Sequence, residues 1–222
     1  MRFLGKIIFL FVIVLVVSCT KEPTFPDAPH IKFKSMQRFT VYNDFTQSYT
    51  DSINIVISFE DGDGDLGLSA NDLLTPYQPY DIIKDKNDKF ILLGSNDTLP
   101  SFDNCHYVVD DFIKNDPKPD TVLIKKNLNF FNYFAELYVK ENGVFEKMDL
   151  SSYCPYPFYG RFPVLNPDDY SGTLDGDLTF NINDPALRFL LEGKTAKFKI
   201  FIKDRALNKS NIIETDALTF TY

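Results

Sequence analysis

The sequence predicts an all-β protein, an antiparallel sandwich with one short helix, and three observations carry that reading. Stretches of alternating apolar and polar residues recur along the chain; in the clearest, Ser52 to Glu60, residues Ile53, Ile55, Ile57 and Phe59 share one face. Period-two alternation rich in β-branched residues marks a half-buried strand. Only one stretch reads as helix, so about seven strands must build the core. With 22 Phe, 12 Tyr and no Trp, that core is aromatic.

Residues 1–18 read as an export signal and not as part of the fold. Arg2 and Lys6 precede an unbroken apolar run from Ile7 to Val17, too short for the ~20 residues a membrane-spanning helix needs. Val16-Val17-Ser18-Cys19 resembles a bacterial lipobox, which implies cleavage before Cys19 and acylation of that cysteine. Two or three acyl chains, at ~0.8 kcal/mol per buried methylene, anchor firmly. Residues 19–29, with Pro23, Pro26 and Pro29, form an extended tether. Residues 30–222 are then one domain, of a size that supports a single core.

Within that domain, His30 to Thr40 and Ser52 to Glu60 are the first two strands. Residues 69–129 form a long polar, proline-bearing insertion; a structureless loop of that length is unusual, so a small subdomain is expected, with Tyr80 to Ile83 pairing with Phe90 to Leu93. Phe130 to Lys140 alternates again, and Glu141-Asn142-Gly143 turns it back through Val144 to Met148. Thr173 to Ile182 and Ala196 to Ile202 follow as strands, and Asn211 to Tyr222 closes the chain. Asp184-Pro185, Ala186 to Glu192 and Gly193 give the helix its N-cap, first-turn proline and terminating glycine.

The full chain carries a net charge of −8; the signal removes Arg2 and Lys6, leaving 21 basic against 31 acidic residues and a charge of −10. Nucleic acid needs clustered Lys and Arg, so that partner class is excluded. Divalent cations suit the acidic balance. No Gly-x-Ser-x-Gly, His-Glu-x-x-His, Ser-x-x-Lys or phosphate loop occurs, and the two histidines, His30 and His106, are far apart. The chain does not read as an enzyme.

One stretch stands out. Phe59-Glu60-Asp61-Gly62-Asp63-Gly64-Asp65-Leu66-Gly67-Leu68 runs straight out of the second strand. Three aspartates two apart crowd their charge, which is costly unless a cation or an arginine neutralises it. Calcium takes six to eight oxygens and suits such a loop. Asp61, Asp63 and Asp65 match EF-hand positions one, three and five, but Leu66 stands where that loop needs glycine, and a strand precedes it. It is not an EF-hand. A β-sandwich calcium loop and an aspartate cluster neutralised by Arg205 or nearby amides both remain open.

Lys203-Asp204-Arg205-Ala206-Leu207-Asn208-Lys209-Ser210-Asn211 resembles the Asp-x-Ala-Gly-Asn-x-Ser turn ending many bacterial immunoglobulin-like domains, with Leu207 in place of the glycine. Together with the acidic loop and the lipobox, the chain is similar to an uncharacterised group of Bacteroidetes lipoproteins. Lys21-Glu22 is similar to the surface-export signal of such proteins, with Pro23 in place of a second acid. The resemblance implies an immunoglobulin-like sandwich on an outer-membrane lipoprotein. In that sandwich the loop after the second strand and the last hairpin lie at one end. Asp204 and Asn208 would then join Asp61, Asp63 and Asp65 as calcium ligands, or Arg205 would clamp one of the aspartates.

Three further features complete the reading. With Cys19 acylated, Cys105 and Cys154 remain as an even pair in an exported chain, which favours a disulfide over two buried thiols. Thr98 and Thr121 sit in Asp-Thr-aliphatic triplets similar to Bacteroidetes O-glycosylation acceptors. Tyr153, Tyr156, Phe158, Tyr159 and Phe162 crowd one proline-rich loop, as a satellite core or as a sugar-stacking platform. The expected protein is a lipid-anchored binding or structural module of the cell envelope with a protein or glycan partner. The alternative is a glycan-binding lipoprotein beside an outer-membrane transporter.

Overall fold

A computed structural model describes residues 24–45, 47–110, 120–150, 158–166, 172–183 and 186–221. The expected export signal, residues 19–23 of the expected tether including Cys19, Cys154 and the Asp184-Pro185 cap lie outside the described residues. Two antiparallel sheets enclose the core. The first orders β1 (His30–Asn43), β2 (Ser48–Asp61) and β9 (Leu174–Asn183) as β1-β2-β9. The second is built on β6 (Tyr133–Glu141) and β10 (Thr195–Ile202), flanked by β7 (Val144–Lys147), β8 (Tyr159–Gly160), β11 (Ile213–Glu214) and β12 (Leu218–Thr219). The helix α1, Ala186–Leu191, is the one α-helix among the described residues.

Alternation explains the packing. Ile53, Ile55 and Ile57 of β2 are fully buried, as are Ile200 and Ile202 of β10, while their strand neighbours face outward. Tyr133, Ala135, Leu137 and Val139 supply the inner face of β6. Each fully buried Ile or Phe contributes roughly 1.5–3 kcal/mol through apolar burial. Leu187 and Leu191 of α1 join the same core. Gly193, with φ +72°, ends the helix in the left-handed conformation.

Residues 69–129 hold a third sheet, β3 (Tyr80–Ile82), β5 (Asp120–Lys126) and β4 (Tyr107–Asp110), with β5 central. The expected return of 90–93 onto 80–83 survives as an isolated bridge, Lys84 to Phe90, with the Ile91 N–H donating to the Ile83 carbonyl at 3.3 Å. The main partner of β3 is instead β5. The closing segment, expected as one strand from Asn211 to Tyr222, divides into β11 and β12. Thr215 causes the break: its hydroxyl takes the Phe198 N–H at 3.0 Å, a backbone donor that a continuous strand would otherwise have bonded.

Leu207 occupies the left-handed region at φ +69°, a conformation that costs a side-chain-bearing residue roughly 1–2 kcal/mol. Leu207→Gly relieves that strain and gives back part of it in chain entropy. The expected outcome is a gain of about 0.5–1 kcal/mol, read as a higher urea midpoint at unchanged slope.

Candidate metal centre

The acidic loop and the last hairpin meet. Asp61 is the final residue of β2, and the chain beyond it turns through Gly64 at φ +72° and Gly67 at φ +107°. The loop is pinned on both sides. Leu66 and Leu68 are buried in the core, the Leu68 N–H donates to the Phe162 carbonyl at 3.1 Å, and the Leu165 N–H donates to the Leu66 carbonyl at 3.0 Å. A Cβ at Gly67 would fall 2.2 Å from the Pro163 carbonyl oxygen, so nothing larger than glycine fits.

This anchoring brings one carboxylate oxygen from each of Asp61, Asp63, Asp65 and Asp204 within 4.8 Å of the others, and the cluster could hold a metal ion. Asp61 and Asp204 are buried, Asp65 is half-buried and Asp63 is exposed, so the group opens to solvent on one side. Asp65 accepts the backbone N–H groups of Arg205 at 3.3 Å and Ala206 at 2.9 Å. Asp204 accepts the Asn208 N–H at 2.7 Å on one oxygen, while its second oxygen is buried with no partner. Asp61 is the extreme case: it has no solvent exposure, and neither oxygen has a hydrogen-bond partner of ordinary geometry, although the Gly64 N–H lies close enough to favour its charge.

Buried carboxylate oxygens without donors are costly, and the proton equilibria record it. Burial, then the charges of Asp63, Asp65 and Asp204, push the Asp61 carboxyl up to about 7. Burial raises Asp204 to about 6 against the opposing hydrogen bonds from Asn208. Asp65 is also raised, by burial first and then by Asp63.

Of the five ligands expected from sequence, the four aspartates converge, and Asn208 hydrogen-bonds Asp204 and so helps to hold it in place. Arg205 does clamp an aspartate, but a different one. Its guanidinium makes paired bonds to Asp72 at 2.8 and 3.0 Å, holding that carboxyl below the usual range. Arg161 holds the same turn through the Ser69 and Asp72 carbonyls at 2.6 and 2.9 Å, and the Tyr77 hydroxyl donates to the Arg205 carbonyl. The guanidiniums therefore secure the start of the insertion and leave Asp61 uncompensated. Sequence spacing gave no sign of the Arg205–Asp72 pair.

The remaining expectations fall as follows. Cys105 is disulfide-bonded, and its expected partner Cys154 lies outside the described residues. Thr98 is exposed in a turn, whereas Thr121 is half-buried in the central strand β5, where a glycan has little room. Phe158 and Phe162 are core residues, Phe158 standing edge-on to Phe198 at 5.8 Å. That removes them from a sugar platform; Tyr153 and Tyr156 lie outside the described residues. His106 bonds to Asp103 at 2.8 Å. Comparisons with protein-family models, with curated proteins and with solved structures find no match.

Because Asp61 and Asp204 bind protons more readily folded than unfolded, folding takes up protons between about pH 4 and pH 7. Their stabilising contribution is complete below pH ~4 and lost as pH rises through about 6 and 7. Asp72, held low, stays ionised across that window and adds no slope. Denaturation in chelator should therefore show a higher midpoint at pH 5 than at pH 8; a flat or rising profile would contradict the uncompensated cluster.

Proposed function

We propose that the chain is a lipid-anchored β-sandwich module of the cell envelope, binding or structural in role, whose fold is completed by calcium. The observation that carries the cation is Asp61, a fully buried carboxylate with no hydrogen bond of ordinary geometry on either oxygen, facing three further aspartates. A calcium ion bonds oxygens at 2.3–2.6 Å, so its shell is about 5 Å across and spans a cluster whose oxygens lie within 4.8 Å. Magnesium, at 2.0–2.1 Å with strict octahedral geometry, would need the carboxylates to close in. Main-chain carbonyls and water would complete the shell on the exposed Asp63 side.

The anchor reading rests on the lipobox at Cys19. Among the described residues, no helix is long and apolar enough to cross a membrane. The tether reaches the domain at the acidic loop: a Cβ at Gly62 would meet the Phe25 carbonyl oxygen at 2.4 Å. From Cys19 to Phe25 an extended chain spans about 20 Å. An acylated Cys19 thus holds the cation cluster at the membrane-facing end.

Two experiments test the two halves. In thermal melts at pH 7.5, calcium should raise the midpoint progressively, reaching about 2.7 kcal/mol at a hundredfold excess over the dissociation constant. Asp61→Asn, which mimics the protonated acid, should stabilise the chelated protein and abolish the calcium response. Melts unmoved by millimolar calcium would sink the metal reading. Separately, Cys19→Ala should move the protein from the membrane to the soluble fraction. A variant that stays with membranes at unchanged mass would sink the anchor.

A further inference from the structure

The sandwich is sealed unevenly. β2 and β10 bury their inward residues almost completely. β9 turns the same alternating face to the core, yet Leu178 and Phe180 stay half-exposed and only Ile182 is buried. One side of β9 pairs with β2 without a break from Leu174 opposite Asp61 to Asn183 opposite Ser52. On the other side no strand pairs with it among the described residues.

A cleft of about 650 Å³ opens along that side, within the range of ligand-binding clefts. One wall is the run of six consecutive residues Leu178 to Asn183; the other is the segment from Phe158 to Leu165, with Tyr133 between them. Successive strand residues point to opposite faces. Six in a row can therefore border one cleft only if it runs along the strand's edge, beside the backbone. Tyr133 adds a buried hydroxyl with no hydrogen-bond partner.

The opposite edge of the same sheet is protected in the ways natural edges usually are. β1 has a bulge between Phe33 and Ser35 and carries Lys32, Lys34 and Arg38. The Asn211 side chain occupies both the N–H and the carbonyl of Ile31, at 2.8 and 2.9 Å. β9 has none of these devices: Leu-Asp-Gly-Asp-Leu-Thr-Phe-Asn-Ile-Asn contains no proline, no basic residue and no bulge. Backbone donors and acceptors that no strand among the described residues pairs, beside an apolar wall, call for a strand.

We propose that the free edge of β9 is a strand-addition site for an extended peptide segment of a partner protein. The segment bonds backbone to backbone along Leu178 to Asn183 and places every second side chain, apolar, against Phe180 and Tyr133. A two-walled cleft admits one strand, about 4.8 Å wide; the β9 of a second copy would arrive with its own sheet and wall attached. The exposed face of β9 presents Asp175 and Asp177, the latter already paired with Lys34. The peptide therefore carries a basic residue towards Asp175.

Linear decapeptides displayed on phage and selected on the full-length chain in detergent supply the probe, which is then synthesised with a fluorophore. The expected consensus is apolar at every second position. Bound peptide should slow exchange at least tenfold at the alternate amides of 178–183 that point away from β2. Methylating alternate peptide nitrogens should abolish binding in one register and leave it intact in the other, a test that leaves the protein unaltered. Leu178→Asp should weaken binding more than tenfold. Failure to enrich any peptide, equal tolerance of methylation in both registers, or protection elsewhere overturns the proposal. So does slow exchange in the free monomer at those alternate amides of 178–183 that point away from β2, which would mean that the chain covers its own edge. Protection that appears only with a dimer in sedimentation would assign the edge to a second copy and equally overturn it.

Discussion

Four carboxylates held together by the backbone are the constraint on which this end of the molecule depends. Asp61 cannot move away, because it is the last rung of β2 and pairs with Leu174. Asp65 is fixed by two amides of the last hairpin, and Asp204 by the Asn208 N–H. Mutual repulsion would ordinarily splay such a cluster into solvent. Here Leu66, Leu68 and the tight approach of Gly67 to Pro163 prevent it. The protein thus spends packing energy to keep charges adjacent, an arrangement that makes physical sense when an opposite charge joins them.

The same end organises everything attached to it. The insertion begins at Ser69, immediately after the loop, and Arg205 and Arg161 fasten its first turn. The backbone of Phe25 and Pro26 passes over Gly62. β1 and β2 run about 45 Å from there at ~3.3 Å per residue, and their far turn carries the Tyr42–Tyr49 pair at 4.9 Å, beyond the reach of β9. Four chain segments that are distant in sequence therefore share one anchoring point, and disorder in the aspartates would be felt by all of them.

Much of this was legible in the residues, and the reasons are specific. Ile53, Ile55, Ile57 and the Ala196 to Ile202 run lie on strands with one wet face, so period-two alternation exposed them. The acidic loop was legible because glycine at left-handed positions and closely spaced aspartates are both local features. β5 escaped because Val122, Leu123 and Ile124 are buried in succession, and a strand buried on both faces loses its alternation. The Arg205–Asp72 clamp escaped because it joins residues with no local pattern linking them. Asp204 entered only through the turn that its hairpin resembles. The half-sealed edge of β9 could not have been read at all, since its sequence alternates like that of any sealed strand.

The two edges of the β1-β2-β9 sheet then show a difference that core stability does not explain. Sealing β9 would need only a longer neighbouring strand or a lysine or two, which the opposite edge already has. Instead, Phe180, only half-buried, stacks on the buried Tyr133 at 3.5 Å beside an open cleft. Apolar surface left open in this way reduces the hydrophobic stabilisation available to the fold and risks indiscriminate pairing. With one end tied down through the aspartate cluster, the sandwich keeps a rigid β2 in its centre, and β9 inherits that rigidity through an unbroken ladder. A preorganised edge loses little conformational freedom when it binds, and that turns an unprotected strand from a liability into a template.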